Sequence, residues 1–149
     1  MSPQRRPHPW RRLRDHYPHL HVHFTDLSHR GRLGRLTGRG IEIERTSNQK
    51  ERRETLLHEL HHYERGPAPK HPYFGPLEER IVDKLTAEEL ISLDALVDAL
   101  TWSHGHVNHD VAEELWVTLD TLITRVRNLT EKERTYIREE LARRQPWNN

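Results

Sequence analysis

From residue 56 to residue 141 the apolar side chains recur every three or four positions, the period that gives a helix one buried stripe. That feature commits more than half of the 149-residue chain to helices packed around one modest core. The supply of apolar residues is thin, at 33% against 32% charged, yet above what a disordered chain carries. No apolar run approaches the roughly 20 residues needed to cross a bilayer, and the basic start lacks the apolar stretch of a secretion signal. Cysteine is absent, which removes disulfides, thiolate metal sites and cysteine nucleophiles together and suits a cytoplasmic address. With 24 basic and 23 acidic side chains, the chain as a whole is no polyanion binder. Histidine stands out: there are 13, and imidazole is both the commonest metal ligand and the group that titrates near neutrality.

Residues 1–17 form a basic N-terminal segment expected to be disordered, apart from a short helical turn over residues 10–16 that ends before Pro18. Residues 19–24 (HLHVHF) alternate strictly, which predicts a half-buried strand with Leu20, Val22 and Phe24 on its inner face. The histidines of the other face, about 7 Å apart, read as the solvated side of an edge strand. Gly31, Gly34, Gly38 and Gly40 read as turns, and residues 41–44 (IEIE) as a second short strand.

Helix signals follow in series. A cap at Ser47 or Asn48 opens a helix over residues 50–64 that stops at Gly66-Pro67. A second helix starts at Leu77, with Ile81, Val82, Leu85 and Leu90 at helical spacing. Ser92 caps residues 93–102, Asp110 with Glu113 resembles a capping box for residues 111–116, Thr118 caps a helix to Arg127, and Thr130 with Glu133 caps the last, to Arg144. The class is α+β, two or three short N-terminal strands followed by about five or six helices, with residues 18–144 as a single domain.

The chemistry sits in His58-Glu59-Leu60-His61-His62, an H-E-x-x-H on the first of these helices. Residues four apart on a helix differ in direction by about 40°, so His58 and His62 present imidazoles one turn apart on one face. That suits two corners of a zinc site, with Glu59 placed to act as general base on a water. A catalytic zinc needs a third protein ligand and an open position. Glu79 opens the next helix, and Asp83, four residues on, shares its face and can accept the second N–H of a ligating histidine, which fixes the tautomer. Glu78 is the competing ligand but points about 100° away. His61, rotated from both partners, reads as a solvent-side neighbour held in reserve. A bland alternative makes Glu78, Glu79 and Asp83 mere partners of a helix dipole; the preceding H-E-x-x-H favours the ligand reading.

The stretches ERRETLLHELHH, EERIVDKLTAEELI, LDALVDAL and VAEELWVTLDTLITRVRNL resemble the ImmA/IrrE-type zinc metallopeptidases over about residues 41–130. The resemblance implies a minimal zincin-like (gluzincin-like) fold, a cytoplasmic hydrolase, Zn2+ on His58, His62 and Glu79, and Glu59 as general base. It further implies a site-specific endopeptidase acting on a helix-turn-helix transcriptional repressor, in gene regulation of a phage, another mobile element or a stress response. The chain departs from the family at Ile81 and Val82, where many members carry an acidic residue or alanine, and at Leu85, where they carry an aromatic.

In this metalloprotease reading, Tyr63, Tyr73, His104 and His106 are the candidates for stabilising an oxyanion, and a peptide adds itself beside an edge strand at residues 41–44. Two rivals differ in kind. Residues 110–128 read as a helix-turn-helix-like subregion whose second helix offers Thr121, Thr124, Arg125 and Arg127 to nucleic acid. Its turn lacks glycine, and Asp120 would repel phosphate. The other rival is a non-catalytic zincin-like scaffold that binds a repressor without cutting it.

Overall fold

The computed structural model describes residues 6–144. Its elements run α1 (Pro9–His16), β1 (Val22–Thr25), a 3-10 turn (Ser28–Arg30), β2 (Gly34–Thr37), β3 (Gly40–Glu44), α2 (Gln49–Arg65), α3 (Phe74–Leu90), α4 (Leu93–Trp102), α5 (His109–Leu115), α6 (Leu119–Arg127) and α7 (Glu131–Arg144). Among the described residues this is an α+β fold, with three short strands followed by six helices. Of the segment expected to be disordered, residues 1–5 lie outside the described residues, and the turn expected over residues 10–16 is the helix α1, entered through Pro9, whose missing N–H costs nothing at that position. The described residues group into two compact units, 6–86 and 87–144, with the boundary inside α3. Among the described residues no helix is long and apolar enough to cross a membrane.

In the first unit the sheet order is β1-β3-β2, with β3 parallel to β1 and antiparallel to β2. Residues 41–44, expected at an edge, are therefore central, because the other two strands take up both sides of β3; the free edges belong to β1 and β2. The register lines up Val22, Ile41 and Leu36 in one row, Phe24, Ile43 and Gly34 in the next, and His23, Glu42 and Arg35 on the opposite face. Glu42 and Arg35 pair across that outer face, and the exposed His21 and His23 stack there with ring centroids 6.3 Å apart.

Two expectations need correction. The glycine-rich stretch read as turns contains β2, because Arg35, Leu36 and Thr37 alternate and β3 supplies their backbone partners. Phe24 is on the predicted face but stays 46% exposed, since it lies at the sheet margin where the Arg52 guanidinium covers its ring at 4.5 Å. At Gly40 the backbone itself demands glycine, since φ is +125° and a Cβ there would lie 2.2 Å from the His21 carbonyl oxygen.

Helix α2 lies across the sheet. Leu56 and Leu60 pack on Ile41 and Ile43, all fully buried, with Leu13, Tyr17, Leu20, Val22 and Leu36 around them. Burial of each such side chain is worth roughly 1.5–3 kcal/mol, which makes this small cluster the anchor of the helix. At the start of α2 the Asn48 side chain accepts from the Glu51 N–H at 2.9 Å while the Glu51 carboxylate accepts from the Asn48 N–H at 2.9 Å. Helix α3 begins at Phe74, earlier than expected, because His71 Nδ1 accepts from the N–H groups of Tyr73 and Phe74 at 3.1 and 3.3 Å. Pro76 is tolerated there, since first-turn N–H groups have no partner inside the helix.

In the second unit Ser92, Thr118 and Thr130 cap α4, α6 and α7 as expected. The cap of α5 is Asn108 rather than Asp110, because the Asn108 side chain accepts from the Val111 N–H at 3.1 Å. Arg125 is buried, donating to the Ile91 carbonyl at 2.8 Å and pairing with Glu133 at 3.3 Å, so it is withdrawn from any nucleic-acid surface of α6. The left-handed position between α5 and α6, which a glycine would occupy without strain, is taken by Trp116.

Replacement of Asn48 by Ala removes one acceptor and half of the reciprocal box that starts α2. A loss of about 1 kcal/mol, or about 3 °C in Tm, is expected in thermal unfolding. An unchanged Tm would contradict the role given to this cap.

Candidate metal centre

Helices α2 and α3 meet along a row of charged side chains. His62 Nε2 lies 3.1 Å from the Glu79 carboxylate, His58 Nε2 lies 3.0 Å from Asp83, and Arg65 makes a two-pronged pair with Glu78 at 2.5 and 3.0 Å. As the α2 number rises from 58 through 62 to 65, the α3 number falls from 83 through 79 to 78, so the helices run antiparallel. The i, i+4 spacing of His58 and His62 is matched by the i, i+4 spacing of Glu79 and Asp83, which is why each imidazole meets its own carboxylate.

His58, His62 and Glu79 each offer a ligand atom, and these atoms lie within 4.8 Å of one another. The group can hold a metal ion. The His58 and His62 rings are nearly perpendicular, with centroids 4.8 Å apart. His62 is buried, and its Nδ1 has no hydrogen-bond partner, so its chemistry is concentrated on the Nε2 that faces Glu79. Glu79 and Asp83 are the open side of the group, with about half of each side chain exposed. Among the described residues this is the one group of histidines and carboxylates so arranged.

Glu59 is buried, with Oε1 3.3 Å from His58 Nδ1. Asp83 therefore differs from its expected placement: it meets His58 on Nε2, the nitrogen that also faces Glu79 at 3.4 Å, while Glu59 occupies the Nδ1 side. The cause is the antiparallel crossing, which sets Asp83 directly opposite His58. Burial works against the charged form of His58, but the hydrogen bonds to Asp83 and Glu59 outweigh it and raise the imidazole from 6.5 to about 10. A metal would need the lone pair of the same Nε2 that carries this proton, so proton and metal compete for that nitrogen.

No family model, curated protein or solved structure matches the chain.

The remaining candidates fall elsewhere. Tyr63 donates to or accepts from His19 Nε2 at 3.2 Å and meets the edge of Tyr17, which ties it to the N-terminal segment. Tyr73 is exposed and stacks on Phe74 at the start of α3. His61 is half-buried and stands outside the converging group. Sequence reasoning misses the Arg65–Glu78 pair. Its direction on the helix sets Glu78 aside as a ligand, and a partner 13 residues away leaves no periodic signal.

This pair fixes the end of α2 against the turn of α3 that carries Glu79. If the group binds added zinc, Arg65→Met and Glu78→Gln should each weaken that binding by about fivefold, and the double variant should be no worse than either alone. Competition with a chromophoric chelator reads this directly. Affinities equal to wild type in both single variants would show that the pair does not position Glu79.

Proposed function

We propose that this chain is a zinc-dependent endopeptidase of the cytoplasm that hydrolyses a peptide bond in a protein substrate, in keeping with its resemblance to the ImmA/IrrE-type metallopeptidases. The observation that carries this reading is the convergence of two histidines one turn apart on α2 with a carboxylate from α3, beside a buried Glu59. A His2Glu donor set is one of those found at catalytic zinc, where three protein ligands leave a position free for chemistry.

His58, His62 and Glu79 would hold the ion. Zinc bound there supplies Lewis acidity, polarising the scissile carbonyl and acidifying water. Glu59 accepts the proton of the attacking water and returns it to the leaving amine, since its carboxylate lies beside the ligand ring and is shielded from bulk solvent. Without metal, Asp83 shares His58 Nε2 with Glu79, so an ion taking that nitrogen would replace the Asp83 hydrogen bond. The substrate backbone pairs with the free edge of β2, the outer strand next to the Glu59 turn of α2. A helix-turn-helix repressor is the substrate we favour on the resemblance alone.

Glu59→Gln preserves shape and hydrogen bonding but cannot take up the proton. Zinc content should stay at the wild-type level while cleavage of a synthetic peptide library, read by mass spectrometry, falls by roughly 100-fold or more. Cleavage at the wild-type rate by that variant would remove Glu59 from the mechanism.

A further inference from the structure

The inner face of the sheet carries side chains in two rows, and at one end of one row there is none. Leu36 and residue 34 point to the same face of β2, and the alternation calls for a second apolar side chain at position 34. The residue is Gly34. A Cβ at that position would lie 2.2 Å from Thr55 Cγ2, 3.2 Å from the Glu42 carbonyl oxygen and 3.6 Å from Glu59 Cγ. The first distance is far inside any van der Waals contact. Thr55 and Glu59 are one turn apart on α2, and His62 continues the same row.

We propose that Gly34 is a positioning residue for Glu59: its missing side chain lets β2 lie flush on the Thr55–Glu59 row of α2 and hold the Glu59 carboxylate against His58. The backbone of Gly34 has no left-handed requirement, so conformational freedom does not explain the glycine; the close approach does. Glu59 is buried, and a Cβ at position 34 would come within 3.6 Å of its Cγ. An added methyl group would lift β2 off this row, open space beside Glu59 and let its carboxylate relax away from the His58 ring. The three atoms nearest a Cβ at position 34 belong to Thr55, Glu42 and Glu59 and to none of the metal-holding residues, so the donor set should survive the change.

This inference rests on the metallopeptidase reading, and its test separates the two. The probe is acetohydroxamic acid, which offers two oxygens to a bound metal and a proton to a neighbouring carboxylate, so its affinity reports on donor set and Glu59 together. Zinc content and probe affinity are measured for the wild type, Glu59→Gln, Gly34→Ala and the double variant Gly34→Ala/Thr55→Ser, in which Thr55 Cγ2 is absent. Zinc should stay at the wild-type level throughout. Probe affinity should fall roughly tenfold in Glu59→Gln and in Gly34→Ala, and return to within about twofold of wild type in the double variant.

Wild-type affinity in Gly34→Ala, with Glu59→Gln weakened, overturns the positioning role alone. Loss of zinc in Gly34→Ala also overturns it, because the glycine would then serve the whole site. Absence of zinc from the wild type, or unchanged affinity in Glu59→Gln, overturns the metallopeptidase reading and this inference with it. Should Gly34→Ala fail to fold, Thr55→Ile enlarges the opposite side of the same contact: the tenfold loss with zinc retained supports the role, and wild-type affinity overturns it.

Discussion

The site depends on one contact, the antiparallel crossing of α2 and α3 through three polar pairs: His58 with Asp83, His62 with Glu79, and Arg65 with Glu78. Two helices normally meet through apolar ridges, and these polar pairs add little hydrophobic free energy of their own. It is possible here because α2 is held from its other side. Leu56 and Leu60 on Ile41 and Ile43 fix the helix to the sheet, and the capping box at Asn48 fixes where it starts. The imidazoles are thereby presented on a rigid element, which is what a metal site requires of its ligands.

The charges along this seam are costly. Glu59 and His62 are buried, and His58 is shielded enough that burial alone would disfavour its protonated form. Carboxylates and imidazoles taken out of water lose several kcal/mol each unless a counter-charge offsets the loss. A proton on His58 is one such counter-charge, and a dication among His58, His62 and Glu79 is a stronger one. The absence of any side chain at Gly34 fits the same arrangement, because it lets a strand close over Glu59 and keep solvent from it.

Much of this is legible from the residue order. The i, i+4 spacing of His58 with His62, and of Glu79 with Asp83, predicts which residues face one another once both segments are helical, and the capping signals at Asn48, Ser92, Thr118 and Thr130 mark where helices begin. Short strands are harder. β2 is hidden among glycines because its identity as a strand comes from pairing with β3, a long-range contact that local propensity does not report. The same limit explains why residues 41–44 read as an edge. Alternation shows that a segment is a strand but does not say how many neighbours it has. The spacing pairs Asp83 with a ligating histidine but leaves the nitrogen open, since it fixes which residues meet and not how a ring is turned.

The proposed function stands or falls with zinc on His58, His62 and Glu79. Elemental analysis of the purified protein beside His62→Ala and Glu79→Ala tests it most directly. The account predicts about one zinc per chain in the wild type and none retained by either variant. Zinc missing from the wild type even after reconstitution, or retained at full level by both variants, would contradict it.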